Sequence, residues 1–196
     1  MAKLYFYYGA MNSSKTAQLI MSAHNYKERK QKVIVFKPII DNRESSGKII
    51  KSRAGISTED VILFDKDTEL YDEVFSILPN INCVLVDEAQ FLTKKQVIEL
   101  SDLVDDWNIP VMCYGLRGNF KGELFEGSEW LLAYADKIEE IKTICFCGKK
   151  ATFNARIKDG KVIKHGEEIV IGGNDTYISL CRKHWKEGII EEAKEN

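Results

Sequence analysis

With 196 residues and 44% apolar content, the chain can bury a true core and fits one domain of ordinary size, or one domain with a small appendage. Its 28 Lys and Arg stand against 30 Asp and Glu, and the net charge of −2 gives no general drive toward nucleic acid or an anionic membrane. No apolar run approaches the roughly 18 residues of a membrane span and the N-terminus lacks an export pattern, so a cytoplasmic protein with neither nucleic acid nor membrane as partner is expected. Five cysteines, an odd number, argue against a disulfide framework and for metal ligation or buried thiols.

In chain order, the apolar run Leu4-Tyr5-Phe6-Tyr7-Tyr8 predicts a strand. It leads directly into Gly9-Ala10-Met11-Asn12-Ser13-Ser14-Lys15-Thr16 and then into a helical pattern over 16–30, with Leu19, Ala23 and Tyr26 in register. Strand, glycine-containing loop and helix in that order form the context of a phosphate-binding loop. Successive backbone N–H groups at a helix N-terminus, with Lys15, meet the oxygens of a triphosphate, and the Thr16 hydroxyl is placed to hold Mg²⁺. The fit to G-x-x-x-x-G-K-[ST] departs at Ser14, which stands where the second glycine belongs. Either Ser14 keeps φ below zero or it adopts the left-handed region at about 1–2 kcal/mol, and retained activity is expected in both cases. The alternative reading of the segment is a plain glycine turn between strand and helix.

A second strand is predicted over 33–36, after which Pro38 ends regular pairing. Residues 41–58 are polar, carry Arg43 and Arg53, and read as a long loop of the kind that often serves function. Further strands are predicted at 61–64, 83–86 and 111–114, and helices at 69–78 and 93–106, the latter with Val97, Leu100 and Val104 in register. Apolar strands alternating with helices predict a parallel α/β sheet covered on both faces. From about Lys142 glycines and cysteines cluster and long helical patterns stop. The expected division is a nucleotide-binding α/β domain over 1–141, a small zinc-ribbon-like domain over 142–185, and a charged tail over 186–196.

The strand Cys83-Val84-Leu85-Val86 delivers Asp87 and Glu88 at its C-terminal end, the end that faces the ligand crevice of an open parallel sheet. Asp87 suits the Mg²⁺ that accompanies a nucleotide, and Glu88, pointing the other way along the strand, suits proton removal from an attacking oxygen. Cys145-Phe146-Cys147 and Cys181-Arg182-Lys183-His184, with about 33 residues between the pairs, make a plausible closed Cys₃His zinc site of structural type. Its one-residue Cys-x-Cys gap is tighter than usual, and unligated core cysteines are the alternative. Cys83 and Cys113, inside apolar strands, read as small buried hydrophobes.

Together, residues 9–16, Val86-Asp87-Glu88-Ala89-Gln90-Phe91, Cys113-Tyr114-Gly115-Leu116-Arg117 through Phe120, Thr143-Ile144-Cys145-Phe146-Cys147-Gly148, and Ile171-Gly172-Gly173-Asn174-Asp175-Thr176-Tyr177 resemble the type II thymidine kinases of bacteria and animal cytosol over nearly the whole chain. The tight Cys-x-Cys knuckle is similar to that of bacterial members. The resemblance implies transfer of the γ-phosphoryl of ATP to the 5′-hydroxyl of thymidine or deoxyuridine. It puts residues 9–16 at the phosphates, Asp87, Glu88, Ala89 and Gln90 along the nucleotide and substrate, and Glu88 in the role of proton acceptor. It also implies a lasso of Glu168, Ile169, Val170, Ile171 and Gly172 closing over the base with Tyr177 nearby, apolar walls from Leu116 and Phe120, and a homotetramer. Arg43, Arg53 and Arg117 remain open as the cation facing the transferred phosphoryl group. Two other classes stay open from the residues: a DNA-dependent ATPase, and a zinc-knuckle adaptor that only binds nucleotide.

Overall fold

The computed structural model describes residues 1–41, 48–59, 61–166 and 176–191. Its elements are β1 (Leu4–Tyr8), α1 (Lys15–Glu28), β2 (Val33–Pro38), β3 (Ile50–Lys51), β4 (Ser57–Thr58), β5 (Val61–Phe64), α2 (Leu70–Phe75), β6 (Cys83–Val86), α3 (Lys94–Trp107), β7 (Val111–Gly115), α4 (Glu126–Tyr134) and β8 (Lys137–Glu140). There follow β9 (Thr143–Ile144), β10 (Lys150–Ala151), β11 (Phe153–Lys158), β12 (Lys161–Ile163), β13 (Tyr177–Leu180) and α5 (Arg182–Glu187).

Six strands form one parallel sheet in the order β5-β2-β6-β7-β1-β8. Alternation along the strands divides their side chains between two cores. Ile34, Phe36, Val84, Val86 and Phe6 face a cluster with Leu70 of α2, Val97, Leu100 and Leu103 of α3, and Leu131 of α4. Val35, Cys83, Leu85 and Tyr114 face the other way, onto Leu19, Ile20 and Ala23 of α1 and Ile50 of β3. Each such buried aliphatic or aromatic side chain contributes about 1.5–3 kcal/mol. The expected parallel α/β sheet covered on both faces is therefore present, with every strand presenting its C-terminal end to the same edge.

Several details differ from the sequence reading. Pro38 does not end pairing: it lies opposite Phe64 in the β2–β5 ladder, where its lack of an N–H is harmless. The segment 69–78 is helical only from Leu70 to Phe75, and i→i+3 turn bonds to Val74 and Phe75 carry the chain toward Pro79. The long segment after Asp41 contains a β3–β4 hairpin, stapled to α1 through buried Ile50 and a bond from Lys27 Nζ to Thr58 Oγ1 at 3.4 Å. Residues 42–47, with Arg43, lie outside the described residues. Helix α3 starts in a capping box: Thr93 accepts from the Gln96 backbone while the Gln96 side chain accepts from the Thr93 N–H.

Beyond β8 the chain builds a smaller unit: the β9–β10 hairpin, the antiparallel sheet β12-β11-β13, and α5. Its own core gathers Cys145, Ala151, Ala155, Leu180 and Cys181, backed by Phe146, Val162 and Trp185. Helix α5 runs into the stretch expected to be a charged tail, and 192–196 lie outside the described residues.

Candidate functional site

The C-terminal edge of the sheet opens on a cleft of about 710 Å³. Residues 11–17 line one side of it, Asp87, Glu88 and Gln90 the floor, and Leu116, Phe120 and Tyr177 another wall. Gly9, directly after β1, lets the loop turn where a side chain cannot fit: a Cβ there would lie 2.3 Å from the Ile141 carbonyl oxygen. The loop then makes two left-handed steps, Asn12 at φ 61° and Ser14 at φ 64°. Ser14 thus takes the second of the two conformations open to it from sequence. It is exposed, stands at the N-cap of α1, and makes no side-chain capping bond.

Lys15 is buried and its Nζ bridges the Gly9 carbonyl (3.2 Å), the Ala10 carbonyl (2.8 Å) and Ser13 Oγ (3.2 Å). Its ammonium is therefore centred in the cup formed by the loop. Thr16 Oγ1 donates to Asp87 Oδ1 at 3.5 Å, which brings the two expected Mg²⁺ ligands together across the sequence. Asp87 is 3% exposed and its backbone N–H is bonded to Phe36 of β2, so its position belongs to the sheet. Near it, Lys37 and Asp41 form an almost fully buried ion pair at 3.5 Å on the cleft wall. No periodicity or motif in the sequence signals that pair.

Glu88 requires a correction. The strand ends at Val86, and Glu88 has φ 48° and ψ 43°, so its direction is set by a left-handed turn into the short 3₁₀ segment Ala89–Phe91, not by strand alternation. Gln90 holds it there. The Gln90 amide nitrogen donates to Glu88 Oε2 at 2.6 Å, and its oxygen accepts the Leu116 N–H at 2.9 Å, tying the ends of β6 and β7. The tie needs Gly115, where a Cβ would approach Gln90 Oε1 to 2.9 Å.

The small C-terminal unit reaches the same cleft. Asn154 Oδ1 accepts from the Met11 N–H at 2.7 Å, and Ser179 Oγ donates to the Met11 carbonyl at 2.5 Å. Arg156, 5% exposed, stacks 3.8 Å from the centroid of Phe120 and donates to the Tyr177 hydroxyl at 3.0 and 2.7 Å. Phe120 and Tyr177 are thus joined through an arginine that the sequence reading did not single out. Phe120 is itself 2% exposed, so it serves as packing as well as wall. The segment read as a lasso, Glu168, Ile169, Val170, Ile171 and Gly172, lies outside the described residues. Of the three open arginines, Arg53 lines the cleft and bonds Asn12, whereas Arg117 lies over the Tyr8 ring and is not among the lining residues.

Cys145, Cys147, Cys181 and His184 converge, with one ligand atom from each lying within 4.8 Å of the others. Cys145 Sγ is 3.4 Å from His184 Nδ1 and Cys147 Sγ is 4.0 Å from Cys181 Sγ. Tetrahedral bonds of about 2.0–2.3 Å to zinc require ligand separations of this order. Burial opposes ionisation of Cys145, yet the backbone N–H groups of Cys147 and Cys181 and the side chain of His184 outweigh it and bring the thiol down to about 6. Zinc ligation uses the thiolate. The Phe146 ring stacks on His184 at 4.5 Å and fixes its plane. The cluster fits a zinc ion with no position left open.

A parallel α/β sheet with a loop of this shape after its first strand, carboxylates at the end of a nearby strand and an appended Cys/His unit places the chain in the P-loop class of folds. A sequence model described as thymidine kinase matches residues 2–185. The chain is 55% identical over 190 residues to a protein named thymidine kinase from Haemophilus influenzae, covering 95% of this chain and 97% of that one. It is 53% identical over 192 residues to the one from Pasteurella multocida (96% and 99% covered), and 50% identical over 194 residues to the one from Salmonella typhimurium (97% and 94% covered). The chain belongs to the thymidine kinase family.

Proposed function

We propose that this member of the family transfers the γ-phosphoryl group of ATP to the 5′-hydroxyl of thymidine, and of deoxyuridine, giving the 5′-monophosphate and ADP. The observation that carries the reading is the contact of Thr16 with Asp87 at 3.5 Å beside the Lys15 cup, on a cleft that continues to the aromatic wall of Phe120 and Tyr177. One end suits a triphosphate and the other a planar base.

In this reading the backbone N–H groups of residues 9–16 cradle the phosphates, and Lys15 exchanges its bonds to loop carbonyls for bonds to phosphate oxygens. Thr16 and Asp87 would hold Mg²⁺, which would supply charge neutralisation at the phosphate oxygens. Glu88 accepts the proton of the attacking hydroxyl. Its left-handed backbone supports that role, since strained residues concentrate where geometry is functionally constrained, and the Gln90 amide fixes one oxygen of the carboxylate. Leu116, Phe120 and Tyr177 wall the base, Gln90 lines the adjoining floor while Ala89 is buried in the core beneath it, and Glu168, Ile169, Val170, Ile171 and Gly172 read its edge through backbone groups. Zinc at Cys145, Cys147, Cys181 and His184 is structural. The same reading makes the protein a cytoplasmic homotetramer that binds neither nucleic acid nor membrane, and among the described residues no helix is long and apolar enough to cross a membrane. Light scattering at four times the 22.4 kDa chain mass tests the assembly.

The deciding experiment is a coupled assay of ADP release from MgATP against thymidine, deoxyuridine, deoxycytidine, deoxyguanosine and DNA. Release dependent on thymidine and deoxyuridine alone is expected. DNA-stimulated release, or none at all, would select the ATPase or the adaptor instead.

A further inference from the structure

The turn between β3 and β4 carries a feature that the cleft so far leaves unused. Ser52 is 6% exposed, lines the cleft together with residues 11–17, and its hydroxyl is buried with no hydrogen-bond partner among the described residues. A buried hydroxyl left unpaired is destabilising. Looseness does not account for it. The Ser52 N–H is bonded to the Ile56 carbonyl at 2.9 Å and its carbonyl accepts from Gly55 at 3.0 Å, so the backbone is pinned on both sides. The next residue, Arg53, bonds the side chain of Asn12 in the phosphate loop. Ile50 anchors the root of the hairpin in the α1 core. The residue is therefore held on the cleft wall by a pinned turn, and its hydroxyl has no acceptor among the described residues.

We propose that Ser52 is a nucleotide-contacting residue whose hydroxyl donates a hydrogen bond to a non-bridging phosphate oxygen of the triphosphate bound at residues 9–16. The proposal rests on the reading of that loop as the ATP site. Ser52 lines the cleft, and its χ1 torsion offers the hydroxyl a choice of staggered directions while the backbone stays pinned. Anionic oxygen is the acceptor chemistry that fits: the surrounding wall supplies Lys15 and Arg53, cations that draw a polyanion to the turn. The Arg53–Asn12 bond holds the turn and the loop at one spacing, so that the hydroxyl and the loop N–H groups address the same ligand.

The test is calorimetric titration of the full-length, zinc-loaded protein with Mg²⁺ and the non-hydrolysable analogue AMP-PNP, for the wild type and for Ser52→Ala. A hydrogen bond to a charged group predicts a Kd raised about tenfold or more in the variant, with the KM for thymidine unchanged. The melting temperature without nucleotide should stay level or rise, because the deleted hydroxyl has no partner inside the protein. Ser52→Cys, which keeps the volume and offers a weak donor, should lose affinity likewise. An unchanged Kd in both variants, or a melting temperature several degrees lower for Ser52→Ala without nucleotide, overturns the proposal. If the wild type binds MgAMP-PNP normally in that experiment, the ATP-site reading survives. A wild type that does not bind the analogue sinks both.

Discussion

Replacing Ser14 by glycine should stabilise the protein and leave its nucleotide affinity alone. At φ 64° and ψ 20° the serine sits in the left-handed region, which costs an L-residue about 1–2 kcal/mol relative to glycine. Little is lost by removing the side chain, since it is exposed and makes no capping bond. Against the gain stands the greater freedom of glycine in the unfolded chain, about 0.4–1 kcal/mol. The balance is a stabilisation of about 0.5–1 kcal/mol, which in a chain of this size raises the melting temperature by about 1–4 °C. Scanning calorimetry of zinc-loaded protein measures it, with Ser14→Val as a control that should melt lower because a β-branched residue resists positive φ. The Kd for MgATP should stay within about twofold, because the loop backbone is already in the shape that glycine permits. A fall in melting temperature for Ser14→Gly, or a large change in ATP affinity in either direction, would refute the argument. The first would mean that the hydroxyl makes a stabilising contact; the second, that the loop changes shape to bind.

Glu88→Gln should lower turnover by two or more orders of magnitude while MgATP still binds, and unchanged turnover would remove Glu88 from the chemistry. Gln90→Met keeps the volume but deletes both the tether on Glu88 and the acceptor for the Leu116 N–H. A cost of about 1–3 kcal/mol in stability and at least a tenfold loss in kcat are expected, read by melting and steady-state kinetics. Burial pushes the Cys83 thiol up to about 12 and raises Cys113 as well, so both stay neutral and unreactive at pH 8. Titration with a thiol reagent should therefore find Cys145, Cys147 and Cys181 only after zinc is chelated, and Cys83 and Cys113 only after denaturation. Chelation itself should weaken MgATP binding as well as thymidine binding, measured by titration with each ligand before and after zinc removal.

What could be read from the sequence follows from where the information is local. The core strands were legible because a parallel strand buried on both faces is an unbroken apolar run, as in Cys83-Val84-Leu85-Val86. The Cys/His cluster was legible because each of its two pairs is a short spacing. Helix α4 and strand β8 were not. The helix begins Glu126-Gly127-Ser128, and Gly127 is there because a Cβ would lie 2.5 Å from the Ala89 carbonyl oxygen, a tertiary reason that local propensity does not carry. Strand β8, Lys137-Ile138-Glu139-Glu140, is a largely exposed edge held by its backbone ladder to β1, so its side chains carry no burial signal. The left-handed turn at Glu88 was equally hidden, since a run of residues does not announce its own φ. Arg156 was missed because its partners, Phe120 and Tyr177, come from distant parts of the chain.

Met11 ties the loop after β1 to the unit that carries the Cys/His cluster. Its N–H and its carbonyl are both taken by residues of the C-terminal unit, Asn154 and Ser179. These two lie opposite each other in the β11–β13 ladder, so a single strand pair grips the middle of the phosphate loop. That unit has a small core of its own, formed largely around the cysteines, and metal ligation supplies folding energy that so small a core lacks. In the proposed zinc form, removing the ion should loosen the ladder and cost the loop two of the bonds that hold its shape. Trp185 reaches the other side of the cleft: it follows His184 of the cluster directly and donates from its indole nitrogen to the Phe120 carbonyl at 3.1 Å. The unit that carries the Cys/His cluster thus holds the loop at Met11 on one side of the cleft and the Phe120 carbonyl on the other.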